Sequence, residues 1–232
     1  MASKKIIILG GLVVVAGGAL FALDHFKKAE DVADDGLTYV DNPSEYVDDR
    51  MQKPLDIDES VAFVPIEVPD FTLQDFNGNT FTKENLKGKY SLIYFGFVNC
   101  PDVCINSTDG LNQAYEALTP EEQAKVQVYY FSFDTGRDTP ERIKDYLSAF
   151  NDKFIGVSGY GDYKQQMGML MHSFDIIADK KLVNGNYAFS HSNHSYLLDP
   201  NANFLTQYNY QTVTEHPEKI VEDLRHIWAK QL

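Results

Sequence analysis

Thiol and imidazole are the side chains in this chain best suited to redox or metal chemistry, and both are scarce. Its 232 residues include only two cysteines, Cys100 and Cys104, in the pattern Cys-x-x-x-Cys. They follow Tyr90 to Val98, an apolar and aromatic run that reads as a buried strand, with Gly96 permitting close backbone approach. Asn99 breaks the run, and a helix-compatible segment, Ser107 to Leu118, comes next. Both sulfurs thus fall where a central strand gives way to a helix, the place where open α/β sheets put their chemistry. At a helix start this spacing would set the sulfurs one turn apart on the same side. The helix N-terminus would favour thiolate, the form needed for disulfide exchange and for metal ligation. A disulfide between them is possible, but so small a loop adds little to a fold with a full core. Redox or metal chemistry is the better use of such a pair.

Two thiolates are too few for a structural zinc site, which takes four ligands. They suit Cu(I), a soft ion, provided that a third donor arrives from elsewhere. His191 and His194 sit on a late strand, Tyr187 to Leu198, where a spacing of three puts them on opposite faces, so that one of them reaches the cysteines. Met167, Met169 and Met171 are rival soft donors, but their helical spacing fits core packing better. His172, His216 and His226 lie in helical or loop contexts and read as surface or packing residues. Without metal, Cys100 would attack a disulfide and Cys104 would resolve it. A peroxidase acting through Cys100 lacks the Pro-x-x-x-Thr-x-x-Cys pattern, since Gly96-Phe-Val-Asn precedes that cysteine.

The elements that must position these groups follow from the rest of the chain. Apolar residues make up 44% and aromatics 13%, enough for a sizeable core. Net charge is −14; the first 28 residues hold four Lys and one Asp, a net of +3, which leaves −17 for the remainder. Phosphate contacts need clustered Lys and Arg, so nucleic acid is excluded as a partner, whereas a basic protein would suit. Ile6 to Leu23 is an uncharged stretch of 18 residues after Lys4 and Lys5, long enough to span a bilayer and without an A-x-A-like cleavage site. It is expected to be a transmembrane anchor (6–23) with residues 1–5 in the cytoplasm. Residues 24–64 are acidic and without clean periodicity, a spacer. Residues 65–232 are expected to form an α/β domain in the order β-β-β-α-β-α-β-α-β-β-α. It opens with a hairpin at Asn77-Gly78 and ends in an amphipathic helix from Pro217 to Gln231. Between them, Asp138 to Glu141 fits a capping box before a helix running to Phe150.

From about Val68 to Leu232 the chain resembles the Sco/SenC family of thioredoxin-like copper proteins. Four segments carry the resemblance: Pro69-Asp-Phe-Thr-Leu, Tyr94-Phe-Gly-Phe-Val-Asn-Cys-Pro-Asp-Val-Cys104, Phe133-Asp-Thr-Gly-Arg-Asp-Thr-Pro140, and Tyr187-Ala-Phe-Ser-His-Ser-Asn-His-Ser-Tyr-Leu-Leu-Asp-Pro200. The family's histidine lies four residues after one tyrosine and five before another, which selects His191 over His194. The resemblance implies a thioredoxin-like mixed sheet flanked by helices and copper, as Cu(I) or Cu(II), held by Cys100, Cys104 and His191. It also implies a role in assembling the Cu(A) centre of cytochrome c oxidase, either by delivering copper or by reducing the cysteines of the Cu(A)-bearing subunit through a Cys100/Cys104 dithiol. Partners would include that subunit, other copper chaperones or thiol reductants, with the domain in the periplasm on a single-pass anchor in a bacterial inner membrane. Two positions depart from the family pattern: Ile105 stands where Pro is usual, and Ser190 where Asp usually precedes the histidine.

Overall fold

In a computed structural model the described residues are 8, 9, 12, 13, 68–183 and 186–230. Within the apolar stretch 6–23, Ile8–Leu9 pairs antiparallel with Leu12–Val13. The rest of the expected anchor, its cytoplasmic flank and the spacer 24–64 lie outside the described residues. Among the described residues no helix is long and apolar enough to cross a membrane.

The main domain is α/β, as expected. Its elements are β1 (Thr72–Asp75), β2 (Thr80–Thr82), β3 (Tyr90–Gly96), α1 (Val103–Glu116), α2 (Pro120–Gln123), β4 (Val126–Ser132), α3 (Pro140–Ser148), β5 (Ile155–Ser158) and α4 (Lys164–Ser173). They continue with β6 (Ala178–Val183), β7 (Asn186–His191), β8 (His194–Leu198), β9 (Phe204–Asn209), α5 (Tyr210–Glu215) and α6 (Glu218–Lys230). Seven strands form one sheet in the order β9-β8-β3-β4-β5-β1-β2. The inner trio β3-β4-β5 is parallel; β8 and β9 on one flank and β1 and β2 on the other run antiparallel to their neighbours. All seven residues of β3 are buried, as a strand covered on both faces must be. The hairpin turns through Gly78 at φ 84°, a conformation that glycine adopts without cost.

Three differences from the sequence reading bear on the site. The expected strand from Tyr187 to Leu198 is two strands, β7 and β8, in different sheets, because the chain leaves one ladder at Ser192-Asn193 before joining the other. β7 pairs instead with β6, which was concealed because Lys180, Lys181 and Leu182 show no alternation of apolar and polar residues and Leu182 is itself exposed. The helix expected to open at Ser107 starts at Val103, so Cys104 lies in its first turn, while Cys100 precedes the helix.

Helix α1 packs on β3, α5 and α6. Gly110 makes the α1–α5 approach possible: a Cβ there would run into the Val213 carbonyl oxygen and lie 2.8 Å from its carbon. Both obstructing atoms are backbone, so a side chain cannot turn aside to relieve the clash. Gly110→Ala is therefore expected to destabilise the domain by about 1–3 kcal/mol, the usual cost of overpacking. Urea unfolding of the two chains checks this; an unchanged midpoint would show that α5 moves freely off α1.

Candidate metal centre

The cysteines occupy the turn between β3 and α1. Cys100 is 5% exposed and Cys104 is fully buried, so one sulfur is outer and one inner. Both are free thiols. The Cys104 N–H points at the Cys100 sulfur at 3.4 Å. The thiol of Cys104 is the largest influence on Cys100, with His191 and the Asp102 and Cys104 backbone N–H groups adding to it. Together they outweigh burial and hold the Cys100 thiol down at about 4. Cys104 goes the other way: burial first, and then the neighbouring Cys100, push its pKa well above the ordinary thiol range. The two shifts oppose each other, so the outer sulfur is the readier thiolate and the inner one holds its proton more tightly.

His191 ends β7 and places Nε2 3.6 Å from the Cys104 sulfur. Its Nδ1 lies 2.7 Å from the Ser192 carbonyl oxygen. A carbonyl can only accept, so Nδ1 carries a proton, and Nε2 is the ring nitrogen that faces the Cys104 sulfur. The ring stands edge-on between Phe97 and Phe133, with centroids 5.9 and 5.1 Å away. These aromatic walls hold it in place without offering it another hydrogen bond.

The late hairpin is bracketed to the site by residues 134–138. Tyr187 donates to Asp134 at 2.7 Å, and Arg137 reaches Asp134, the Tyr187 carbonyl and Asn186 at 2.6, 2.8 and 3.0 Å while stacking 3.6 Å over the Tyr187 ring. Asp138 does not cap α3, contrary to the sequence reading; Thr139 does, its hydroxyl accepting from the Arg142 N–H. Pro140 in the first turn was the signal for Thr139 as the cap. Asp138 is fully buried and accepts from the Val98 N–H at 2.7 Å and the Ser132 hydroxyl at 2.6 Å. Burial raises its pKa, against the pull of those two donors. The cysteine loop is thus tied to the end of β4 through a side chain that sequence reasoning had assigned to a helix end.

The other candidates separate cleanly. His194 starts β8 and pairs with Asn209; burial depresses its pKa. Met167 and Met171 are in the core and Met169 is exposed, as packing predicts. His172, His216 and His226 are exposed. Among the described residues no three His, Cys, Asp or Glu side chains are grouped as a ready-made metal cage. The close contact is the pair Cys104–His191, with the Cys100 sulfur engaged by the Cys104 N–H and thiol. Gathering all three donors on an ion requires the Cys104 proton to leave.

A mixed sheet with a parallel core, a dithiol at its central strand-to-helix turn and an imidazole brought in from a late hairpin define a thioredoxin-like dithiol protein with a candidate sulfur–nitrogen metal centre. Residues 61–229 match the SCO1/SenC family, and the chain belongs to that family. It is 39% identical over 155 residues to the mitochondrial SCO2 protein of Saccharomyces cerevisiae, covering 66% of this chain and 51% of that one, so that it spans about half the length of this relative. The copper-bound structure of Bradyrhizobium japonicum ScoI superposes with a TM-score of 0.62 at 33% identity, over 69% of this chain and 98% of that one. BsSco, a member of the Sco family of cytochrome c oxidase assembly proteins in which a disulfide switch was identified, superposes with a TM-score of 0.56 at 25% identity over 70% and 94%.

The unequal sulfurs have a direct spectroscopic consequence. In the reduced, metal-free protein the thiolate ultraviolet band of Cys100 is expected to persist as pH falls to about 6, well below the ordinary thiol value of about 8.5, because a lowered pKa keeps the anion at lower pH. Cys100→Ser should remove the band over that range. A band that disappears near pH 8 in the parent chain would refute the inequality of the sulfurs.

Proposed function

We propose that the protein is a membrane-tethered metallochaperone that carries copper on Cys100, Cys104 and His191 and delivers it to, or prepares, the Cu(A) site of cytochrome c oxidase. The observation that carries this reading is the approach of His191 Nε2 to the Cys104 sulfur at 3.6 Å, across 87 positions of chain. That separation suits two donors each about 2.0–2.3 Å from a shared ion. The donor set is soft, with one thiol held toward thiolate and the Nε2 of the imidazole turned to the other sulfur, so it fits Cu(I) and can also hold Cu(II). The outer sulfur provides the exchange point through which cargo passes to a partner's thiolates. Copper in the ScoI structure and the oxidase-assembly description of BsSco support the cargo and the Cu(A)-bearing subunit as recipient. Other copper chaperones or thiol reductants would load or reset the site. In this reading residues 1–5 stay in the cytoplasm, 6–23 anchor the chain in a bacterial inner membrane, 24–64 form the spacer, and 65–232 work in the periplasm. The uncharged 18-residue stretch behind Lys4 and Lys5 supports that placement.

The inequality of the sulfurs favours a second reading, a thiol-disulfide reductase acting on the same partner. The Cys100 thiolate attacks one sulfur of the partner's disulfide, that S–S bond breaks, and a mixed disulfide forms. Cys104 then displaces the second partner sulfur, and its proton passes to that leaving thiolate. The partner leaves as a dithiol, its first thiolate taking a proton from water, and Cys100–Cys104 as a disulfide, a two-electron exchange.

Cu(I) competition against a chelator separates the two. Removing the orienting partner of a ligand costs about 10–100-fold in metal affinity; losing the ligand itself in His191→Ala is expected to cost about 100-fold or more, and Cys100→Ser at least as much. Disulfide reduction should survive His191→Ala and vanish in Cys100→Ser. Copper affinity equal in His191→Ala and the parent would remove His191 from the ligand set and leave the dithiol reading.

A further inference from the structure

The His191 ring is oriented without a carboxylate next to it in sequence. Ser190 precedes it and is exposed. The acid opposite Ser190 in the β6–β7 ladder, Asp179, pairs with Lys181 at 3.1 Å. What meets Nδ1 is the Ser192 carbonyl. A carbonyl can fix an imidazole only when its own peptide is fixed, and Ser192-Asn193 is the break between two sheets, outside both ladders. Two sets of contacts replace the missing ladder. The first ties the break to the residue before β6: the Ser192 N–H donates to the Ile177 carbonyl at 2.9 Å, and the Ile177 N–H donates to the Ser192 hydroxyl at 3.2 Å. The second reaches the elements that bracket the sulfurs: the Asn193 side-chain carbonyl accepts from the Tyr94 hydroxyl at 2.9 Å and from the Ser107 hydroxyl at 3.2 Å. Tyr94 lies on β3 and Ser107 on α1, and both are 1% exposed. Two buried hydroxyls from different elements directed at one amide oxygen make a stiff joint, because that oxygen is held from β3 and from α1 at once.

We propose that Asn193 is a positioning residue for the metal centre: by accepting the Tyr94 and Ser107 protons it holds the Ser192 carbonyl on His191 Nδ1 and so aims Nε2 at Cys104. The clamp does for this chain what a carboxylate beside a ligand histidine does elsewhere, using a backbone carbonyl in place of a charge. Its consequence for copper rests on the reading of His191 as a ligand. The ring orientation itself is a property of the metal-free protein, and the two are tested separately.

The experiment uses Asn193→Ala and the milder Ser107→Ala, each alone and combined with His191→Ala. In the metal-free chain, ring-nitrogen NMR of His191 is expected to show the Nδ1–H form in the parent and a mixture with the Nε2–H form in Asn193→Ala, with Ser107→Ala shifted less in the same direction. In Cu(I) competition, Asn193→Ala is expected to weaken binding about tenfold when His191 is present. It should change binding by less than about twofold when His191 is already alanine, since the effect passes through that ring. An unchanged tautomer in both variants overturns the proposal, and so does an equal loss of affinity in both backgrounds, which marks general loosening. If Asn193→Ala does not fold, Ser107→Ala carries the same test. If His191→Ala itself leaves copper affinity untouched, the ligand reading fails and the tautomer spectra still decide the role of Asn193.

Discussion

The pairing of β8 against β3 is the constraint on which the centre depends. Ser195 lies opposite Tyr94 in an antiparallel register, so the start of β8 sits beside the end of β3. The cysteines follow β3 and His191 shortly precedes β8, and the register alone sends both to the same end of the sheet. Tyr196 and Leu197 hold that register: they are 3% and 0% exposed on opposite faces, and a slip of one residue would exchange them. The position of the imidazole is thus set by apolar burial several residues away.

Registers place the chain to within an element, and buried polar contacts do the rest. Asp138 is the costly one, since a carboxylate taken out of water needs strong donors. It has the Val98 N–H and the Ser132 hydroxyl on one oxygen, and its other oxygen has no partner among the described residues. That cost secures the loop leading to Cys100. Asp134 and Arg137, four and one residues earlier, secure the opposite wall by gripping Tyr187 and Asn186. One short segment after β4 therefore fastens both the sulfur-bearing loop and the imidazole-bearing hairpin, and neither can shift without straining it.

Much of this was legible in the sequence, and its limits are physical. The buried strand before the cysteines, the parallel core, the turn at Asn77-Gly78 and the closing helix follow from runs, periods and turn residues that act locally. The family resemblance selected His191, and the fold sets that residue beside Cys104. What stayed hidden was non-local. The break at Ser192-Asn193 carries no Gly or Pro, because it is made by contacts with Ile177, Tyr94 and Ser107 rather than by a turn preference. Asp138 looked like a cap because Asp before Thr-Pro-Glu is a good cap; only its burial shows that Thr139 fills that role. Treating 187–198 as one strand separated His191 from His194 for the wrong reason: they belong to different sheets and not to two faces of one.

The two proposed activities, copper holding and disulfide exchange, would draw on the same proton. While Cys104 keeps it, the inner sulfur is a poor ligand and a poor nucleophile, and Cys100 alone is poised. A soft cation arriving at Cys100 and a mixed disulfide formed there share one consequence: each removes the anionic charge that helped keep the proton on Cys104. Both therefore lower the barrier to recruiting the second sulfur. They part at the next step: a cation would be bonded by Nε2 itself, held 3.6 Å from that sulfur, whereas a disulfide can use the imidazole only to take the Cys104 proton and then makes no bond to it. An imidazole fixed by Phe97, Phe133 and the Ser192 carbonyl has a lasting role only with a metal bound, and that asymmetry weights the centre toward metal.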